Sequence, residues 1–321
     1  MHCRIAVLRF LVLFGFSQAL RLATLNIRYD SKPDDITVAD TVASLGSSFD
    51  APSYGQVKDG AEQPWSTRRI RIAQYLIAQK LSVVCIQEGL IRQVLDLTVL
   101  LGDEWAWVGK GRDNGEDGGE FSAIFYNTKD LAIVSNDTYW LSETPLEPSK
   151  YHGSGSPRLV TTADFHTLDT NQSFMIMNTH LDDISNEQRM YAASMLVTRA
   201  RYEASAVGNR PIFLTGDFNS PPVGTDSEAY KITTGQHNPV RVNDYWMSRY
   251  TVAHDTQYDF ALLDIIGDAP RQFVTNIGGL FIFGGSNKGF ETVSYSVGGL
   301  IGDDGIHMSD HRPIVVEFKL Q

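Results

Sequence analysis

Short apolar runs rich in β-branched residues recur along the whole chain, and segments with helical periodicity lie between them. Apolar runs of this length, bounded by turn residues, are typical of buried β-strands. We expect seven strands, at 21–27, 81–86, 121–126, 159–165, 174–178, 211–215 and 314–318. Because strands outnumber helices and the two alternate, the sequence favours a mixed α/β domain with packed sheets.

Two helices are expected between these strands. The first spans residues 66–79, where a serine or threonine near the start can cap it. In this helix Ile70, Ala73 and Ile77 are expected to share one buried face. The second helix spans residues 187–206 and follows directly on a strand and a loop.

Glycine-rich stretches mark loops between the predicted strands and helices. Gly-rich stretches at 110–119 and 278–285 predict surface loops. No internal repeat, low-complexity tract or long linker divides the sequence. We therefore expect a single domain over residues 20–321.

Composition limits the classes of partner. Hydrophobic residues make up 42% of the 321 residues, enough for a sizeable core. The 38 acidic residues exceed the 27 basic ones, and the net charge of −11 disfavours a broad electrostatic grip on nucleic acid or an anionic membrane. The only cysteines, Cys3 and Cys85, exclude both a disulfide framework and a structural zinc site. A protein of this charge that handles anions needs a metal ion or a few well-placed cations.

Residues 1–19 have the layout of a secretory signal peptide. Basic residues come first, an apolar run over 10–16 follows, and small residues end the segment. A frayed terminal strand or helix is the alternative, while a membrane span is excluded by the shortness of the run. Glycosylation sequons at Asn136 and Asn171 fit an extracellular route. We expect a secreted protein whose mature chain is two charge units more negative and keeps Cys85 as a lone buried thiol.

Polar side chains accumulate where the apolar strands end. The clusters are Asn26, Gln87-Glu88, Asn178-Thr179-His180, Gly216-Asp217-Phe218-Asn219 and, just before the last strand, Ser309-Asp310-His311. Taken singly, such a residue is explained by a turn or a cap, although a carboxylate directly after an apolar strand needs a partner. Strand ends on one rim of a sheet can bring these groups together. Carboxylate and amide oxygens suit Mg²⁺ or Mn²⁺, and histidine can move a proton or stabilise negative charge.

These clusters also resemble a known family. The motifs, in order, are Thr24-Leu25-Asn26-Ile27-Arg28, Ile86-Gln87-Glu88, Asn178-Thr179-His180-Leu181, Thr215-Gly216-Asp217-Phe218-Asn219-Ser220 and Ser309-Asp310-His311-Arg312-Pro313. The set resembles the endonuclease/exonuclease/phosphatase (deoxyribonuclease I-like) superfamily and covers the chain from about residue 20 to its end. The resemblance implies a four-layer α/β sandwich of two packed mixed β-sheets flanked by helices.

The resemblance also implies roles for the metal-binding groups. Glu88 corresponds to the principal ligand of a Mg²⁺ ion, for which Mn²⁺ is a possible substitute. Asn26 and Asp310 are expected near the same ion. Arg28 and Arg158 are expected as additional phosphate contacts, although a solvated loop cation is an equal interpretation of Arg28.

Four further residues are implied to be catalytic. Asp217 and Asn219 correspond to the pair that orients the attacking water and holds the phosphoryl group. His180 and His311 correspond to the histidines that flank the phosphate. Phosphoryl transfer requires such in-line placement of water together with neutralisation of charge on the non-bridging oxygens.

One position departs from the family pattern. The family has an aspartate, about thirty residues before the final Ser-Asp-His, that orients the last histidine. Here Leu280 stands in that place. Asp264 could substitute for the aspartate only if the chain between the two positions is rearranged. The orientation of His311 is therefore the point at which this chain departs from its expected family.

Three functions are consistent with these features. The first is a secreted, metal-dependent hydrolase of phosphate esters, acting on a small molecule or a lipid head group. The second is a nuclease of the same superfamily, which should show a basic or aromatic path beside its site. The third, motivated by Leu280, is a catalytically silent binding module. In each case we expect a monomer without a stable membrane span.

Overall fold

Two β-sheets pack face to face in the computed structural model, which describes residues 19–44, 62–206, 210–252, 260–267, 279–287, 289–299 and 305–321. Within these ranges each sheet is mixed and has six strands. The predicted signal peptide falls almost wholly on residues 1–18, which lie outside the described residues.

In the first sheet, β1 and β2 are parallel neighbours and the other pairs are antiparallel. Its strands, in spatial order, are β11 (Phe290–Val297), β12 (Ile314–Leu320), β1 (Leu20–Asn26), β2 (Val83–Gln87), β4 (Ile124–Asn127) and β3 (Trp105–Val108). The parallel pair places the ends of β1 and β2 side by side, with Asn26 opposite Gln87.

The second sheet is built the same way around the parallel pair β7 and β8. Its strands, in spatial order, are β5 (Leu131–Trp140), β6 (Leu159–Thr167), β7 (Ser173–His180), β8 (Ile212–Asp217), β10 (Leu280–Gly285) and β9 (Leu262–Asp264). Here the parallel register sets His180 opposite Asp217.

Helices cover the outer face of each sheet. They are α1 (Val38–Ser44), α2 (Trp65–Ala78), α3 (Ile91–Leu101), α4 (Asn186–Ala206), α5 (Glu228–Thr233) and α6 (Asp244–Arg249), and a short 3₁₀ turn spans Ile265–Gly267. Buried side chains of α2 and α3 pack on the first sheet, and those of α4, α5 and α6 pack on the second. A third cluster, which includes Phe174, Phe213 and Phe318, fills the space between the sheets. The predicted four-layer α/β sandwich is confirmed.

Three sequence-based expectations about these elements are wrong. The first is the serine or threonine cap of α2, because its N-cap residue is Pro64, which makes no side-chain hydrogen bond. The stretch 278–285 was predicted to be a surface loop, but Leu280–Gly285 is the fully buried strand β10. Its glycines are there for space, because a Cβ on Gly284 would lie 2.4 Å from the ring of Phe290. In α2, Ile77 does not share the buried face with Ile70 and Ala73 but is 54% exposed.

Other expectations hold in the described part of the chain. The stretch 110–119 contains neither helix nor strand, as predicted for a loop. Cys85 is buried in β2 between the sheets, and burial raises the pKa of its thiol to about 12. A thiol of this kind stays protonated and unreactive at neutral pH. Among the described helices, none has the length and apolar character needed to cross a bilayer.

Candidate functional site

The two parallel strand pairs end at one common rim, where the polar clusters from both sheets meet. The Asn26 side chain joins the two sheets, since its Nδ2 donates to Glu88 Oε1 at 2.8 Å and to Asp217 Oδ2 at 3.1 Å. Below the rim, Gln87 Nε2 donates to Asn178 Oδ1 at 2.7 Å, also from one sheet to the other. Gln87 and Asn178 are thus buried cross-links, while Glu88 and Asp217 face the space above them.

Glu88 follows β2 in a left-handed backbone conformation, with φ of 62°. This conformation is rare for a residue with a side chain and is kept only where the surroundings fix it. Both carboxylate oxygens are held, because Tyr29 N donates to Oε2 at 3.1 Å while Asn26 binds Oε1. The backbone therefore directs the Glu88 side chain to the rim at the expense of local strain.

Arg28 lies between two of the predicted metal-binding carboxylates. Its guanidinium is 3.8 Å from Glu88 Oε2 and 3.9 Å from Asp310 Oδ2. Burial alone would lower the pKa of Arg28, but the charges of Glu88, Asp310 and Glu62 raise it above its usual value. Arg28 is thus held against these carboxylates instead of extending free into solvent.

Asp217 ends β8 and is almost completely buried. Its Oδ1 accepts from the backbone N of Asn219 at 3.1 Å, and its Oδ2 lies 3.6 Å from Nε2 of His311. The preceding Gly216 has φ of 148°, and a Cβ there would lie 2.1 Å from the carbonyl oxygen of Thr179. Only glycine allows β8 to come this close to β7, and this approach sets the position of the carboxylate.

His180 lies between Asn219 and Glu120, a residue that the sequence analysis did not single out. The Nε2 atom of His180 is 3.3 Å from Asn219 Nδ2, and its Nδ1 atom is 3.7 Å from Glu120 Oε2. Glu120 Oε2 also accepts from Arg112 Nη1 at 2.6 Å. Burial would raise the pKa of Glu120, but His180, Arg112 and Arg158 lower it below its usual value.

Arg158 does not point freely at the centre of the site. Its Nε donates to Asp182 at 3.2 Å and its Nη2 donates to Asp183 at 2.7 Å. Burial would raise the pKa of Asp182, but hydrogen bonds from the backbone of Ser185 and Gly155 and the charge of Arg158 lower it. Of the three guanidinium nitrogens of Arg158, only Nη1 has no hydrogen-bond partner among the described residues.

Leu280 faces the same region without supplying a polar group. It pairs with Asp217 across β8 and β10 and is fully buried, while Nδ1 of His311 has no hydrogen-bond partner among the described residues. Asp264 does not replace the missing aspartate. It lies opposite Phe283, further along β10, and accepts a hydrogen bond from the hydroxyl of Tyr230 at 3.1 Å.

The rim opens into a cleft. The predicted residues that line it are Arg28, Glu88, Arg158, His180, Asp217, Asn219 and His311, and the lining also contains Tyr29, Arg112, Glu120, Ser156 and Asp183. Asn26 lies beneath the cleft and Asp310 is a half-exposed residue at its edge. The structure therefore brings all nine predicted site residues together in or next to one cleft.

The donor set suits a hard divalent cation. Glu88 and Asp310 offer carboxylate oxygens, the ligands that Mg²⁺ prefers. The Asn26 Oδ1 atom accepts from the backbone N of Arg28 at 2.9 Å and keeps a second lone pair. Among the described residues, no group of three or more acidic, histidine or cysteine side chains converges on a single point. An ion held there would therefore bind one or two carboxylates and keep several waters, as is usual for Mg²⁺.

Comparison with known proteins gives structural matches only. No family model matches the chain, and no curated protein does either. A structure of an endonuclease/exonuclease/phosphatase from Bacteroides vulgatus is similar, with a TM-score of 0.71 and 25% identity over 95% of this chain and 100% of its own. The mannosyl-6-phosphatase of Bacteroides thetaiotaomicron gives a TM-score of 0.67 and 25% identity over 93% of this chain and 99% of its own. The catalytic domain of human Nocturnin shares the fold, with a TM-score of 0.62 and 15% identity over 96% of each chain.

Proposed function

We propose that this chain, which belongs to the endonuclease/exonuclease/phosphatase superfamily, hydrolyses phosphate esters with water as the nucleophile and Mg²⁺ or Mn²⁺ as cofactor. One observation carries the proposal. The Asp217 carboxylate is joined through the Asn26 amide to Glu88 and lies 3.6 Å from His311, all beside one cleft. This arrangement supports the proposal, because it would bring a proton acceptor, a metal-binding carboxylate and a group that binds negative charge around one point.

The chain's own residues divide the work of the reaction. Asp217 accepts a proton from water, whose oxygen bonds to phosphorus as the bond from phosphorus to the leaving oxygen breaks. Asn219 and His180 hold non-bridging oxygens on one side, and His311 and Arg28 balance their charge on the other. The leaving oxygen takes up a proton from solvent, and Asp217 returns its own to solvent. Glu88, Asp310 and Asn26 would hold the cation, which when bound supplies charge neutralisation and a more acidic water.

A small phosphate ester is the substrate class that the cleft supports best. The mannosyl-6-phosphatase of Bacteroides thetaiotaomicron, which covers 93% of this chain, is named for activity on such an ester. The nuclease alternative needs a track of cations or aromatic rings along a strand of nucleic acid. In the described lining the arginines are each beside a carboxylate, and Tyr29 is the single Phe, Tyr or Trp residue.

The proposed activity is tested with the mature chain, residues 20–321, and three substrates: p-nitrophenyl phosphate, bis-p-nitrophenyl phosphate and duplex DNA. We expect turnover that EDTA abolishes, that Glu88→Ala and His180→Ala reduce strongly, and that Glu116→Gln, an exposed control, leaves unchanged. If the wild type turns over none of the three substrates, the hypothesis of an enzyme is wrong and the silent binding module replaces it. If DNA is the best substrate, the nuclease replaces the small-ester phosphatase, and activity in EDTA contradicts the metal cofactor.

We also propose that the protein is secreted. Support comes from the signal-peptide layout of residues 1–19 and from the exposure of both sequon asparagines, Asn136 and Asn171. Expression of the full chain in secreting eukaryotic cells should release a protein that begins near residue 20 and carries glycans that a glycosidase removes. Retention of the uncleaved chain inside the cells would contradict secretion.

A further inference from the structure

Part of the cleft wall takes no part in the proposed chemistry. This wall, here called the outer wall, consists of Arg112, Ser156, Arg158 and Asp183, with Tyr29 at its mouth. It lies in the same cleft as the catalytic groups, so it is the surface that the alcohol part of a bound ester would contact.

The charges of the outer wall are balanced. Arg112 donates to Glu120 at 2.6 Å, and Arg158 contacts Asp182 at 3.2 Å and Asp183 at 2.7 Å. A second anionic group on the substrate would meet these carboxylates as well as the two arginines. The outer wall is therefore unsuited to a second phosphate or carboxylate.

Hydrogen-bonding capacity nevertheless remains unused there. Nη1 of Arg158 and Nε of Arg112 are buried and have no hydrogen-bond partner among the described residues. The Arg158 side chain is only 4% exposed, whereas that of its partner Asp183 is 62% exposed and offers acceptor oxygens to the cleft. The exposed Asp183 carboxylate thus lies beside an arginine with an unused donor. Hydroxyl groups match such a surface, because each one both donates and accepts.

The aromatic content of the lining points the same way. Tyr29 is the one Phe, Tyr or Trp side chain among the described residues that line the cleft, where the imidazoles are those of the catalytic His180 and His311, and the Arg28 guanidinium lies 4.4 Å from the Tyr29 ring centroid. A single ring can cover the apolar C–H face of a sugar but offers no path for successive bases. The mouth of the cleft is therefore suited to one small ring or chain.

We infer that the outer wall is a leaving-group subsite for a polyhydroxylated alcohol, so that the substrate is a phosphate monoester of a sugar or an acyclic polyol. This inference rests on the proposed function and narrows its substrate class. It assigns Asp183, Ser156 and the free donors of Arg112 and Arg158 to the recognition of substrate hydroxyls.

The test compares two phosphate monoesters that differ in their hydroxyls, glucose 6-phosphate and n-hexyl phosphate, with sorbitol 6-phosphate to separate a sugar ring from an open chain. We expect kcat/KM to favour the hydroxylated esters, and we expect Asp183→Ala to reduce that preference by about 10- to 100-fold. Asp226→Ala is a matched control, because Asp226 also pairs with an arginine at 2.7 Å, is 53% exposed and is not in the cleft lining. It should leave the preference unchanged.

The possible failures are distinguishable. Hydrolysis of none of the three esters disproves the proposed function itself. Hydrolysis of n-hexyl phosphate as fast as the hydroxylated esters, or an unchanged preference in Asp183→Ala, overturns the subsite and leaves the phosphatase standing. A readout without turnover is saturation-transfer NMR with free glucose and free sorbitol. Signal from at least one of them should appear with the wild type and weaken with Asp183→Ala, and its absence in the wild type also counts against the subsite.

Discussion

Two hydrogen-bond donors, one to each oxygen, fix the position of the Asp217 carboxylate. Asn219 N binds one oxygen, and Asn26 Nδ2 binds the other. Asp217→Asn keeps the shape of the side chain but removes the acceptor for the proton of water. We expect kcat to fall by about 10²- to 10⁴-fold with little change in the melting temperature. The control is Asp226→Asn, and an Asp217→Asn variant with the wild-type kcat would show that this carboxylate is not the base.

The sequence could single out nine residues that the structure brings to one cleft, because eight sit at the end of an apolar run or in a short motif and Arg158 directly precedes such a run. It could not predict Glu120, Arg112 or Tyr29 in the same way. Glu120 closes a Gly-rich loop, and its polar surroundings in the sequence give no reason to single it out. Its link to His180, at 3.7 Å, joins residues that are 60 positions apart and depends on the packing of the two sheets. The one local signal was its place directly before the apolar segment that leads into β4.

At the level of secondary structure, the seven predicted strands are all interior strands of the two sheets. The sequence did not predict the four strands that lie at the sheet edges within the described ranges, β3, β5, β9 and β11. An edge strand has a neighbour on one side only and keeps more exposed positions, as in β5, so it lacks a continuous apolar run. The missed interior strand, β10, was obscured by its glycines, which tertiary packing requires.

The pairing of β9 with β10 buries a carboxyl group whose ionisation opposes folding. Burial raises the pKa of Asp264 to about 6 despite hydrogen bonds from Ile266 and Tyr230. A carboxyl with a raised pKa stabilises the fold fully below its unfolded pKa and loses this contribution as the pH rises through about 6. Relative to Asp264→Asn, the wild type should therefore lose about 3 kcal/mol of unfolding free energy between about pH 4 and pH 8. Denaturant unfolding of both proteins across this range measures it, and parallel curves would contradict it.

On the scale of the whole molecule, one buried arginine ties together segments from opposite ends of the chain. Arg68 donates to the carbonyl oxygens of Ile27 at 2.6 Å and Met308 at 3.1 Å, and to those of Arg28 and Tyr29. These carbonyls belong to the segments that carry Asn26 and Asp310. The adjacent Arg69 is equally buried, but it binds Asp96 and the segment before α1.

The two arginines thus form a matched pair for a positioning role. We expect Arg68→Met and Arg69→Met each to lower the unfolding free energy by about 2–3 kcal/mol. Only Arg68→Met should also lower kcat by about 10²-fold, since it misplaces the metal-binding side of the cleft. It should raise the Mg²⁺ concentration needed for half-maximal rate, with Arg68→Lys intermediate. Equal kinetic losses in both Met variants would reduce Arg68 to a purely structural residue.

The Asn26 amide, bonded to Glu88 on its own sheet and to Asp217 on the other, spans the seam between two independent layers. Asn26 and Asp217, which meet across this seam, are 191 positions apart in the chain. Their spacing is therefore set by the phenylalanine-rich core that packs between the two sheets. A shift of one sheet over the other by an ångström would preserve the fold but would misalign the site residues that the two sheets carry. The hydrophobic interior of this protein does not contact substrate, yet it sets the distances between the residues that would.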